Sequence, residues 1–240
     1  INFAKYSILI LNSFLSYKLS NKIIVTSDEI KSFINKKYFI NSNKIKVIPN
    51  AIDINKFKKL KKRKYANRAI TISRLEKQKN IFTLLNICEL SNLNLDIIGN
   101  GSQLNEIKKF AKRKNLDVRF FGQIENNEIP NFLSKYKLYV TSSKIEGSPK
   151  TIMEAMSSEL PIFGLKAKGL NFLVKNGRTG YLFSNIKNLS KKIIELKNNQ
   201  RVLKNLGVNA RNLIKKNFKF EKNINLENKI IEKLINEKKY

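Results

Sequence analysis

The sequence predicts an α/β fold built on a parallel, doubly wound sheet, and three observations lead there. Short apolar runs alternate with stretches of helical periodicity from residue 69 onward. The apolar runs are continuous, not alternating, as strands covered on both faces require. The residues able to do chemistry collect in the loops that follow those runs, which is where a doubly wound sheet places its ligand.

The elements follow in order. The opening apolar run, 6–15, is too short to span a bilayer and contains Asn12 and Ser13, so it reads as a packed amphipathic helix. Ile23-Ile24-Val25 centres a buried strand at 22–26, and a helix at 28–36 has Ser27 in position to cap it. A second short strand at 46–48 is stopped by Pro49-Asn50, and the lysine-rich run 56–64 reads as a solvated connector marking a boundary. Strand 69–73 is then followed by helix 81–90, strand 93–98 by helix 104–112, strand 118–121 by helix 127–134, and strand 138–141 by helix 150–157. Strand 161–164, a candidate strand at 181–183 and helices at 189–196 and 201–216 complete the pattern, and an amphipathic helix at 221–238 closes it. Right-handed crossovers turn such an alternation into a Rossmann-like domain.

Composition narrows the function classes. With 240 residues and 42% hydrophobic content, the chain can bury a large core. One cysteine, Cys88, excludes an intramolecular disulfide and fits a reducing compartment; with no histidine, it leaves no Ser-His or Cys-His nucleophile and little from which to build a zinc site. Net charge is 48 − 18 = +30. The lysines are spread along the chain and accompany abundant asparagine and isoleucine, which argues for compositional drift. Attraction to an anionic membrane, at about 1 kcal/mol per lysine near the surface, is the second reading, and nucleic acid the third. No cationic segment leads into a small-residue cleavage site, so the expectation is a cytoplasmic protein with peripheral contact at the inner face of the membrane. The start at Ile1, not methionine, leads us to expect the back part of a longer protein.

Glu146-Gly147-Ser148-Pro149-Lys150-Thr151-Ile152-Met153-Glu154 is the most informative stretch. Ser148 is suited to cap a helix and Pro149 to fill its first position. A helix start presents unpartnered N–H groups and so favours anions. Glu146 in the loop and Glu154 on the helix add two acceptors for hydroxyl groups. The neighbouring strand ends supply Arg74 and Lys79, then Gly99-Asn100-Gly101, then Gly122-Gln123, so four consecutive strands deliver cations, glycines and carboxylates to one crevice. Each piece has a plainer reading beside the functional one: two surface cations among 48, glycines of an ordinary turn, glutamates in water.

Taken together and in order, several segments resemble the back part of a retaining GT-B glycosyltransferase of family 4. They are Val47-Ile48-Pro49-Asn50-Ala51-Ile52-Asp53 with Phe57, Ser73-Arg74-Leu75-Glu76-Lys77-Gln78-Lys79, Ile97-Ile98-Gly99-Asn100-Gly101, 118–122, 146–156 with Leu160-Pro161, and Asn176-Gly177 with Gly180-Tyr181-Leu182. The resemblance implies a GT-B type α/β architecture with one complete Rossmann-like domain, 54–218, and a partial first domain, 1–53. The helix at 219–240 would cross back to the first domain. It implies a nucleotide-sugar donor as substrate, no cofactor, no metal, and a glycan or lipid-linked acceptor. Residue by residue, it implies that Arg74 and Lys79 hold the diphosphate, and that Glu146 with the Gly147 and Ser148 backbone holds the sugar hydroxyls. Glu154 would take the ribose diol, the Thr151 and Ile152 N–H groups would face phosphate, and Gly101, Gln123 and Ile124 would lie near the base. Glu159, Ala51 and the Lys168-Gly169-Leu170-Asn171 loop depart from the family's usual residues. Two rival readings stand beside this one: a sugar-nucleotide epimerase using the same crevice, and a basic RNA- or membrane-binding module.

Overall fold

A computed structural model describes residues 3–57, 67–147 and 149–237, with residues 3–8 described in backbone only. The described chain divides into two compact units. One holds the residues up to Asn50 and those from Phe220 on; the other is Ala51–Lys219. The expected connector at 56–64 falls mostly outside the described residues.

The first unit begins with helix α1 (Phe3–Leu19) and a two-stranded parallel sheet of β1 (Ile23–Val25) and β2 (Ile45–Val47), joined by α2 (Asp28–Tyr38). Ser27 caps α2 as its position in the sequence suggests, its hydroxyl accepting from the Ile30 N–H at 3.3 Å. Ile10, Phe14 and Tyr17 of α1 pack on a core of Ile23, Val25, Ile34, Tyr38, Ile40 and Ile45. The other side of α1 departs from the amphipathic expectation, because Leu9, Leu11, Leu15 and Leu19 are all exposed. Among the described residues, no helix is long and apolar enough to cross a membrane.

The second unit runs β3 (Arg68–Ile72), α3 (Ile81–Ser91), β4 (Asn94–Ile98), α4 (Leu104–Arg113), β5 (Val118–Phe120), α5 (Ile129–Leu133), β6 (Tyr139–Thr141), α6 (Lys150–Ser157), β7 (Ile162–Leu165), β8 (Gly180–Phe183), α7 (Ile186–Leu196) and α8 (Gln200–Asn217). The six strands are parallel in the order β5-β4-β3-β6-β7-β8. Every crossover from β3 to β7 carries a helix to one face or the other, β7 joins β8 through a loop, and the strand side chains alternate to match. Ala69, Leu95, Ile97, Val140 and Phe163 pack against α3, α4 and α7. Ile70, Ile72, Tyr139, Ile162 and Leu182 pack against α5, α6 and α8. The chain order of the strands reverses between β3 and β6, the topological switch point where sheets of this type open a ligand crevice. A last helix, α9 (Phe220–Glu237), belongs to the first unit, where Asn223 donates to the Pro49 carbonyl.

One polar feature of this sheet lies inside an apolar run. Asp96, in the middle of β4, is fully buried and accepts from Arg68, Arg119 and Tyr136. Arg68 also reaches Asp117. A buried carboxylate persists only when its lone pairs are satisfied, and these partners tie β3, β4, β5 and the segment after α5 into one register.

Candidate functional site

The carboxyl edge of the six-stranded sheet is stitched from loop to loop. After β3, Leu75 N–H donates to the Asn100 carbonyl at 2.8 Å, and the Leu75 carbonyl accepts from Gln103 N–H at 3.0 Å. Glu76 grips Ser102 through the backbone N–H at 2.9 Å and the hydroxyl at 2.7 Å. Those bonds, with help from the Arg74 charge, hold the Glu76 carboxyl below its ordinary range. Gly99 N–H donates to the Gly122 carbonyl at 2.6 Å, carrying the stitching to the loop after β5. Gly99 and Gly101 have a structural reason to be glycine. A Cβ on Gly99 would lie 1.9 Å from the Ser73 carbonyl oxygen, and one on Gly101 2.6 Å from that of Leu75.

On the other side of the switch point, the loop after β6 is fastened to the loop after β3. The Ser142 hydroxyl donates to the Asn80 carbonyl at 2.8 Å, Asn80 Nδ2 donates to the Ser142 carbonyl at 3.3 Å, and Lys144 N–H donates to the Gln78 carbonyl at 3.0 Å. Asn80 sits in the left-handed region at φ 56, which ends the short turn Lys77–Lys79 and starts α3. Asparagine tolerates that conformation. The consequence is that Lys79 and Glu146 meet: Lys79 Nζ donates to Glu146 Oε1 at 2.6 Å, with 16% and 11% of the two side chains exposed. The Glu146 N–H donates to the Lys168 carbonyl at 2.9 Å, and a Cβ on Gly169 would lie 1.6 Å from the Glu146 oxygen. The loop after β7 thus seats the Glu146 backbone.

Helix α6 spans Lys150–Ser157, the bounds the sequence suggests, but its cap differs. Pro149 is its N-cap, not its first helical residue, and no side chain caps it. The Pro149 carbonyl accepts from the N–H groups of both Ile152 and Met153 at 3.1 Å, so the Ile152 N–H expected to face phosphate is engaged within the first turn. Proline at the N-cap contributes a carbonyl but no hydroxyl. Ser148 itself lies outside the described residues. Glu154 is 9% exposed, and Lys150 Nζ stands 3.9 Å away, one turn back on the helix. Burial pushes the Glu154 carboxyl above its ordinary range, partly offset by the Lys150 charge.

The other expected residues occupy the same edge. Arg74 and Gln123 are exposed, Gly147 is exposed, and Ile124 is half-buried against the core. Sequence reasoning missed the residues that hold these in place: Glu76 with Ser102, Asn80 with Ser142, and Tyr139. The Tyr139 hydroxyl donates to the Ile72 carbonyl at 3.0 Å and accepts from the Ile72 N–H at 3.0 Å, with Thr151 Oγ1 3.5 Å away. A tyrosine between Leu138 and Val140 was the available signal, because a buried phenol needs a partner. Cys88 plays no part; burial alone pushes its thiol up to about 12.

Comparison with known proteins decides what this edge belongs to. The model of the family "Glycosyl transferases group 1" matches residues 53–213, nearly the whole of the second unit. The chain belongs to that family. An uncharacterised glycosyltransferase of Methanocaldococcus jannaschii is 29% identical over 218 residues, which cover 90% of this chain and 60% of that protein. The UDP-Gal:α-D-GlcNAc-diphosphoundecaprenol α-1,3-galactosyltransferase of Escherichia coli is 29% identical over 228 residues, covering 86% of this chain and 59% of that one. Among solved structures, a mutant of S. aureus TarM in complex with fondaparinux, α-GlcNAc-glycerol and UDP superposes with a TM-score of 0.80 at 26% identity, covering 88% of this chain and 44% of TarM. The chain thus spans about three fifths of the curated relatives' length. The GT-B fold class follows for this chain.

Proposed function

We propose that the protein transfers a sugar from a nucleotide-sugar donor to a glycan or lipid-linked acceptor, with retention of configuration as in family 4. In this reading the second unit holds the donor. The Lys79–Glu146 pair at the switch point carries it, since one cation and one carboxylate meet there at 2.6 Å between the two loops that flank the crevice. The E. coli relative is named for UDP-galactose and a diphosphoundecaprenol acceptor, and the TarM structure holds UDP, which supports a nucleoside-diphosphate donor.

The steps follow from charge. As the glycosidic bond breaks, the leaving diphosphate gains negative charge, and cations fixed in advance stabilise that state more than the bound donor. Arg74 and Lys79 supply them where other transferases use a metal. Donor phosphates compete with Glu146 for Lys79, and a Glu146 released from the pair accepts hydrogen bonds from the sugar hydroxyls. Glu154 accepts from the ribose diol, with Gly147 and Ser148 beside the sugar and Gly101, Gln123 and Ile124 beside the base. No side-chain nucleophile is assigned; the acceptor attacks from the face the diphosphate leaves, and the departing phosphate takes its proton. The net charge of +30 favours peripheral contact with an anionic cytoplasmic leaflet and a role in building cell-surface polysaccharide.

The test is a calorimetric titration of the full protein with UDP-sugars and GDP-sugars. One donor should bind, and Glu154→Ala should weaken it by about 1.5–3 kcal/mol, the worth of hydrogen bonds to a charged group. Equal donor binding by the parent and the variant would remove Glu154 from the site. Turnover of the donor without any acceptor would favour an epimerase instead.

A further inference from the structure

The sheet is not evenly paired at the point where it opens. β3 pairs with β4 at every residue from Arg68 to Ile72, but with β6 only at Ile70, opposite Tyr139. Two residues further, where the ladder would continue, the Ile72 N–H and C=O face a gap. Buried backbone groups left without partners are costly, and strands seldom leave them so. Here both are satisfied by one side-chain atom, the Tyr139 hydroxyl, at 3.0 Å to each. Tyr139 is 2% exposed, so this is a fixed insert, not a surface contact.

The position of the insert matters more than its energy. Ile72 is the last residue of β3, and Ser73-Arg74 follow directly. The Ser73 hydroxyl oxygen is shielded from solvent and has no hydrogen-bond partner among the described residues. Across the gap, Thr151 Oγ1 of the first turn of α6 lies 3.5 Å from the Tyr139 hydroxyl. The Glu146 charge also acts on Tyr139; together with burial, the larger cause, it raises the phenol's pKa, so the hydroxyl keeps its proton and can donate. One hydroxyl thus touches the strand that carries Arg74 and the helix start expected to face phosphate.

We infer that Tyr139 is a positioning residue for the donor diphosphate: its hydroxyl holds β3 and β6 apart at their carboxyl ends and so sets the distance between Arg74 and the start of α6. The inference rests on the donor-binding reading above. It assigns Tyr139 no contact with the donor. Without the hydroxyl, Ile72 must find water or draw β6 closer, and either change moves one wall of the crevice relative to the other. The base contacts, which lie on the loops after β4 and β5, stay with the β3 wall, and Glu154 stays with α6.

The test compares the full protein with Tyr139→Phe, which keeps the ring and removes only the hydroxyl. Affinities are measured for UDP, GDP and ADP and for the matching monophosphates. The preferred diphosphate should bind about tenfold more weakly to the variant, while its monophosphate, which lacks the second phosphate, weakens much less, so that the preference for the second phosphate collapses. Amide exchange in the parent adds a reading without mutation: the Ile72 N–H should be as protected as its neighbours in β3. If the parent prefers a diphosphate and the variant keeps that preference, this inference fails and the donor reading stands. If the parent shows no such preference, both fail. A variant that loses the fold would place the hydroxyl in stability and overturn the inference, as would rapid exchange at Ile72.

Discussion

Glu154 shows how a single residue's environment fixes what can be measured. Its folded pKa lies above the ordinary 4.5, chiefly because burial penalises the charged form. The folded state therefore binds this proton more tightly than the unfolded chain does. Its contribution to stability is fully present below the unfolded value and is lost as pH rises through the folded one. Glu154→Gln should accordingly raise the melting temperature at neutral pH while weakening the nucleotide, an opposition typical of binding sites. Ribose hydroxyls donate to the charged form, so donor affinity in the parent should fall as pH drops from neutral into the mildly acidic range, and the Gln variant should lose that dependence. Calorimetry across that range checks both. Lys79 and Glu146 make a second residue-level prediction. They neutralise each other at 2.6 Å before any ligand arrives, so each single change leaves a partly buried charge unpaired. Lys79→Ala with Glu146→Ala should show coupling of about 0.5–3 kcal/mol in stability, read from denaturation of the two single variants and the double variant.

At the scale of elements, the strand-end loops act as one body because each is bonded to the next. Glu76 holds Ser102, Gly99 holds Gly122, Ser142 holds Asn80, and Glu146 holds Lys168. Gly169→Ala should therefore cost turnover, although Gly169 is buried in the loop after β7 and is assigned no donor contact. At φ 84 the backbone is already unfavourable for alanine, and the new Cβ would strike the Glu146 oxygen at 1.6 Å. Donor turnover, with melting temperature as the control, measures it. Beneath the loops, Asp96→Ala should destabilise by about 3–5 kcal/mol, because Arg68, Arg119 and the Tyr136 hydroxyl all lose their shared buried acceptor; chemical denaturation gives the value. The strands were legible because short, mostly apolar runs such as Ala69-Ile70-Thr71-Ile72 and Ile97-Ile98 alternate with helical stretches, and the strand-end rule then gathered Lys79 and Glu146 on one edge. The bounds of α6 were read from the sequence, but Pro149, expected as its first helical residue, is its N-cap. The stitching was illegible for a different reason. Asn80 to Ser142 and Glu76 to Ser102 join residues 62 and 26 positions apart, and no local pattern encodes a partner at that range. Asp96 was hidden in the same way, as one acid among aliphatic residues whose partners lie on other strands.

At the scale of the whole molecule, a chain with net charge +30 should draw in an anionic donor by long-range attraction. The association rate should fall as salt rises, more steeply than the dissociation rate changes, in a stopped-flow titration. The same charge predicts co-sedimentation with anionic vesicles and release at high salt. The proposal rests on one claim, that the carboxyl edge between β3 and β6 binds a nucleoside-diphosphate sugar. A thermal-shift screen of nucleotide-sugars on the full protein, run beside Arg74→Ala and Glu154→Ala, tests it most directly. One donor should raise the melting temperature of the parent by mass action, and both variants should lose most of that shift. A donor that stabilises all three proteins equally, or a parent that responds to none, would contradict the assignment of this edge.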